Sequence, residues 1–130
     1  MNEFWTNWQP RILSVLRIIV GFLLIWHGAQ KLFGFPPSGQ PGELNGLMLF
    51  AGILEFFGGI LILIGLFTRW TSFILSGLMA VAYFMVHASG GFLPLVNKGE
   101  LAVVYCFVFL YLFFAGGGVW SLDHLLKKQS

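Results

Sequence analysis

Long apolar stretches separated by short polar breaks dominate the chain. Four of them, Ile12–Phe33, Leu47–Phe67, Trp70–Ser89 and Leu101–Trp120, run for 20 to 22 residues each. About 20 apolar residues in a helix cross the hydrocarbon core of a bilayer. Backbone amides in lipid must bond within their own segment, and no stretch shows the alternation of a membrane barrel strand, so helices are predicted. The first stretch is too long for a signal peptide, and no small-residue cleavage site follows it; a retained helix is predicted. The breaks coincide with turn formers: Pro36, Pro37, Gly39, Pro41 and Gly42 after the first helix, and Gly90, Gly91, Pro94 and Gly99 before the fourth. Thr68 and Arg69 alone separate the second and third stretches, which predicts a tight hairpin. The apolar Phe92, Leu93, Leu95 and Val96 predict that the segment from Gly90 to Glu100 dips into the membrane interface. The expected architecture is all-α, a single membrane-embedded four-helix bundle filling residues 1–130.

Composition agrees. The chain is 58% hydrophobic and 9% charged, whereas a soluble domain carries about 25% charge to keep its surface in water. The bilayer is therefore the first partner. A net charge of +2 without a basic run excludes a nucleic-acid footprint, and the single cysteine, Cys106, excludes an intrachain disulfide. Arg11, Arg17, Arg69, Lys127 and Lys128 fall on one side of the predicted membrane and Lys31 and Lys98 on the other, which places both termini in the cytoplasm. Trp5, Trp8, Trp70 and Trp120 fall where an inner aromatic belt would lie.

Against this apolar background the ionisable residues need reasons. Glu55 lies about 12 Å inside the second helix, too deep for its carboxylate to reach water easily. It shares an i, i+3, i+7 row with Gly52 and Gly59, and small residues admit a neighbouring backbone, so Glu55 is predicted to face the bundle interior. On the first helix Arg17, Gly21, Leu24, Gly28 and Lys31 form a similar row flanked by His27. On the third, Gly77, Ala80, Phe84 and His87 do. By depth, His27, Lys31, Glu55 and His87, with Asn97, Lys98 and Glu100, gather toward the outside as one embedded polar site, the first four being the candidates to bind a ligand or move protons. Arg17 and Asp123 gather toward the inside, where they are predicted to pair as a structural charge cluster. Plainer readings stand beside these: Lys31 and Lys98 as residues snorkelling to headgroups, Glu55 as a neutral acid bonded across helices. His27 and His87 fall near the same outer depth, which permits bis-imidazole haem ligation, but two lone histidines disfavour haem, and no third ligand supports a metal. Glycine-rich phosphate loops and nucleophile elbows are missing from the sequence. A weak echo, His27 to Glu43 and His87 to Glu100, has unequal spacings and is read as coincidence.

Several segments together resemble the DoxX family of small bacterial membrane proteins. They are Arg17 and Gly21 with Trp26-His27-Gly28-Ala29-Gln30-Lys31-Leu32-Phe33-Gly34; Glu55-Phe56-Phe57-Gly58-Gly59 with Gly65-Leu66-Phe67-Thr68-Arg69; Ala80-Val81-Ala82 with His87; and Asn97-Lys98-Gly99-Glu100-Leu101 through Gly116-Gly117-Gly118 to Ser121-Leu122-Asp123. Gly117 departs from the Gly-Pro-Gly of the relatives. The resemblance implies an inner-membrane protein and an accessory role in a redox assembly linked to quinone or thiols, with protein partners in the membrane or envelope. Quinone is then the cofactor to consider, and any electron carrier belongs to a partner. Two other classes fit the same residues: a non-enzymatic organising subunit, and a carrier or binding protein for a small apolar or weakly acidic molecule, for which a homo-oligomer would be needed.

The orientation is testable with single cysteines in a Cys106→Ser background. A cysteine at Ser38 should label from outside in intact cells; labelling only after permeabilisation would invert the topology.

Overall fold

A computed structural model describes residues 2–37 and 46–127, and every regular element among them is helical. Ser38 and Glu43, named above, and Lys128 lie outside the described residues. The elements are α1 (Asn2–Phe33), α2 (Gly46–Ile64), α3 (Thr68–Ala82), α4 (Pro94–Asn97), α5 (Glu100–Ala115) and α6 (Leu122–Lys127). Beyond Ala82 the chain of α3 continues as a π turn, Tyr83–His87, and a 3-10 turn, Ala88–Gly90. Three helical segments are long and apolar enough to cross a membrane, and α5, at 16 residues, is a shorter apolar helix.

The helices differ from expectation at their ends. α1 begins at Asn2 rather than Ile12, because Glu3 favours the positive helix start and Pro10, although it forfeits one backbone bond, does not end the helix. On this extension Phe4, Trp5 and Trp8 are exposed, and the Arg11 guanidinium stacks 5.2 Å from the Trp8 ring. α5 stops at Ala115 rather than Trp120. Gly116 and Gly118 both take φ +82°, which turns the chain back toward the bundle.

α1 packs along α2 and α3 along α5, while α2 and α3 join the two pairs through the short Gly65–Phe67 connection. Leu24, Ile62, Leu75, Phe109 and Leu112, all fully buried, form the centre. The outward faces are equally apolar: Phe22, Phe57, Phe73 and Phe107 are exposed on four different helices. A soluble protein does not carry so much contiguous exposed apolar surface; lipid covers it.

Glycines set the distance between α1 and α2. A side-chain carbon on Gly21 would come within 2.6 Å of the Leu63 amide nitrogen, and one on Gly28 would fall onto the backbone of Phe56. Gly59 meets Ile25 in the same way from the other helix. These contacts turn Glu55 inward, as its glycine row predicts.

At the end of the bundle that carries the termini, the predicted pairing of Arg17 with Asp123 is not formed. Arg17, 1% exposed, donates instead to the carbonyls of Gly117 at 2.7 Å and Trp120 at 2.9 Å, with a longer bond to Leu63 at 3.5 Å. Asp123 accepts from the Phe67 and Thr68 amides, both at 2.8 Å, and so caps the start of α3 from across the chain. The reason is supply: the turns after α2 and α5 leave carbonyls and amides without helical partners, and these are what the two charged groups satisfy. Ser14 completes the cluster by accepting from the Trp120 amide at 3.0 Å and donating to the Gly117 carbonyl at 3.1 Å.

The glycine contacts predict unequal effects of added methyl groups. Gly28→Ala should lower thermal stability in detergent by about 1–3 kcal/mol through overpacking. Gly77→Ala, where no atom lies within 4 Å, should be neutral or slightly stabilising. Equal losses at both positions would contradict the packing described.

Candidate functional site

A cavity of about 320 Å³ lies toward the end of the bundle opposite the termini. Leu24, His27 and Lys31, one face of α1 at i, i+3, i+7 spacing, form one wall. Glu55 of α2 faces them, α3 contributes Met79 and Ala82, and Leu101, Ala102 and Tyr105 of α5 close the far side. His87 and Lys98 complete the lining. The four residues that the sequence nominates, His27, Lys31, Glu55 and His87, therefore share one cavity.

Lys31 and Glu55 are bonded directly. The ammonium nitrogen lies 2.7 Å from Oε1 and 2.6 Å from Oε2, so it spans both carboxylate oxygens. The carboxylate side is 6% exposed and the lysine side chain 25%. Gly52 makes this possible: its missing side chain leaves room for the Lys31 stem, which passes 3.1 Å from where a β-carbon would be. An ion pair in a low-dielectric setting needs such direct geometry to offset the desolvation of both groups.

The aromatic residues fix the rest of the lining. Tyr105 meets the His27 ring edge-on, with centroids 5.9 Å apart and planes at 87°, and stacks on Phe109 from its other side at 5.9 Å. His87 reaches the cavity because of the π turn. The Ala88 amide bonds to the Tyr83 carbonyl, five residues back, which widens the turn. In a regular α-helix a residue five positions after Ala82 would point about 140° away; the wider turn keeps His87 on the face of Met79 and Ala82. The members of the predicted row Gly77, Ala80, Phe84 and His87 meet different surroundings, and the π turn accounts for His87. Gly77 faces open space, Ala80 and Phe84 line a separate apolar groove, and His87 alone joins the polar cavity. Lys98 sits in the left-handed region, φ 63°, at the end of α4, a conformation uncommon for a non-glycine residue.

Tyr105 is the lining residue that sequence reasoning missed. Its signal was a phenol in an otherwise apolar span, since a buried hydroxyl needs a polar neighbour. Arg17 and Asp123 lie at the other end of the bundle and take no part. Chemically the cavity holds two ammonium groups, two imidazoles and a phenol around one carboxylate. It presents several hydrogen-bond donors and one carboxylate acceptor.

Comparison with known proteins gives the chain its relatives. The DoxX family model matches residues 12–88. A Haemophilus influenzae protein, named only as uncharacterized, is 43% identical over 129 residues, covering 95% of this chain and 96% of its own. Inner membrane protein YqjF of Escherichia coli is 32% identical over 124 residues, 88% of this chain and 92% of its own. The uncharacterized membrane protein Rv3486 of Mycobacterium tuberculosis is 27% identical over 93% of this chain and 85% of its own. No solved structure matches. With the family model covering more than half of the chain and these relatives spanning nearly all of it, the protein belongs to the DoxX family of membrane proteins.

Proposed function

We propose that this protein is an inner-membrane accessory subunit of a redox assembly, and that its polar cavity receives the head of a quinone. The observation that carries the proposal is the buried Lys31–Glu55 pair on the wall of a cavity whose other polar lining residues, His27, His87, Lys98 and Tyr105, can donate hydrogen bonds. At about 320 Å³, the cavity falls within the range of small-molecule sites, ~300–1,000 Å³. A bound quinone supplies two-electron, two-proton redox chemistry. This chain's residues supply the rest. Lys31, His27 and Tyr105 are donors for carbonyl oxygens, and Glu55 holds or releases a proton beside them. Lys31 holds the Glu55 carboxyl at the cavity wall through its contacts with both oxygens. The electrons come from a protein partner. Both termini lie in the cytoplasm, which puts the cavity toward the outer leaflet.

The reading also explains why a charged pair is retained where apolar packing would serve stability equally well. Structural glue needs no adjacent space, whereas a proton-handling carboxylate needs a ligand within reach.

The test is purification in mild detergent followed by mass spectrometry of extracted lipids. Wild type should retain quinone; Glu55→Gln, which keeps shape and hydrogen bonding, should fold normally yet retain about tenfold less. Lys31→Met should instead unfold more readily, by about 3–5 kcal/mol, because it strands a buried carboxylate. Equal quinone in wild type and Glu55→Gln would assign the pair to structure alone.

A further inference from the structure

Beside the polar cavity lies a groove of about 390 Å³ between α3 and α5. Ala80, Phe84, Val103 and Phe107 line it, and the exposed Phe92 forms its rim. Met79 and Ala102 belong to both the groove and the polar cavity. One spacious apolar compartment and one polar compartment therefore meet across a single small residue and a flexible thioether.

The polar atoms of the groove are turned away from it. The Tyr83 hydroxyl donates to the Phe92 carbonyl at 2.9 Å, which also ties the Gly91–Pro94 turn over the groove as a rim. Phe84 is 72% exposed and Phe107 63%, so the groove is open sideways to the bilayer rather than to water. Ala80, Tyr83 and Phe84 reach the groove by i, i+3, i+4 helical spacing, while the π turn that follows holds His87 on the polar side.

We propose that the groove seats the single apolar tail of the molecule whose head occupies the polar cavity, and that this molecule enters sideways from the bilayer between α3 and α5. The inference rests on the quinone reading and adds to it the route of entry and the need for one chain. Two features argue for this occupant over an ordinary phospholipid. The groove shares Met79 and Ala102 with the cavity that Lys31 and Glu55 line, so a tail seated in it lies next to a head at that site, and its volume of about 390 Å³ lies between two helices only.

The experiment uses a benzoquinone with a decyl tail that carries a photoreactive diazirine near its end, and a tail-less benzoquinone, both applied to the detergent-purified full chain. After photolysis, peptide mass spectrometry should place the label on groove residues such as Ala80, Val103 and Phe107. Excess unlabelled decyl-benzoquinone should reduce it about tenfold. Ala80→Phe and Val103→Phe, which fill the groove from opposite helices, should each reduce the label to a similar extent and leave binding of the tail-less probe unchanged. Label scattered over lipid-facing residues such as Phe22 and Phe73, without competition, while the tail-less probe still binds, would overturn the groove assignment and leave the polar site standing. Absence of saturable binding by the tail-less probe would overturn both.

Discussion

In hydrocarbon no water is present to satisfy a polar atom, and the Arg17 guanidinium is where this chain meets that constraint. Each interruption of a helix inside the membrane releases carbonyls and amides that cost free energy until they find partners. Here two interruptions, after Ile64 and after Ala115, lie against each other, and Arg17 from the middle of α1 donates into both. With Ser14 and Asp123 it binds the start of α3 and the folded-back segment after α5 into one unit. Gly65, at φ +75°, has no room for a β-carbon because Arg17 and Ser121 fill that space. The order of the helices at this end follows from these bonds.

The opposite end obeys the same constraint in a different way. Its buried charges satisfy each other, Lys31 against Glu55, and leave a space beside them. Packing between α1 and α2 is close, glycine on backbone, so the pair is held on a firm wall. The α3–α5 side is looser in construction: a π turn, a 3-10 turn and a four-residue helix succeed one another before α5 begins. The charged pair thus stands on two regular, closely packed helices, and the irregular segment that carries His87 and Lys98 faces it across the cavity.

The sequence made the spans and most of the polar lining legible because rarity carries information in a membrane. Glu55, Lys31, His27 and His87 stand out against apolar neighbours, and each required a reason. Tyr105 did not stand out, since lipid-facing and core-facing sides of α5 are both apolar and no periodicity marks its inner face. The partners of Arg17 were illegible for another cause: they are backbone carbonyls, present at every residue, and only the tertiary turn at Gly116 and Gly118 exposes the particular ones it meets. Opposite charge suggested Asp123, but the start of α3 competed for that carboxylate and won. The π turn has no simple sequence signature, and with it went the separation of His87 from the face of Ala80 and Phe84.

The central claim is that the cavity beside Lys31 and Glu55 holds a quinone head by hydrogen bonds to its carbonyls. Infrared difference spectroscopy with carbonyl-labelled quinone addresses it most directly. A bound head should show its carbonyl stretch shifted to lower frequency than the same quinone in lipid, together with a perturbed carboxylate band that disappears in Glu55→Gln. A carbonyl stretch identical to that of quinone dissolved in lipid, with the carboxylate band unmoved, would contradict it.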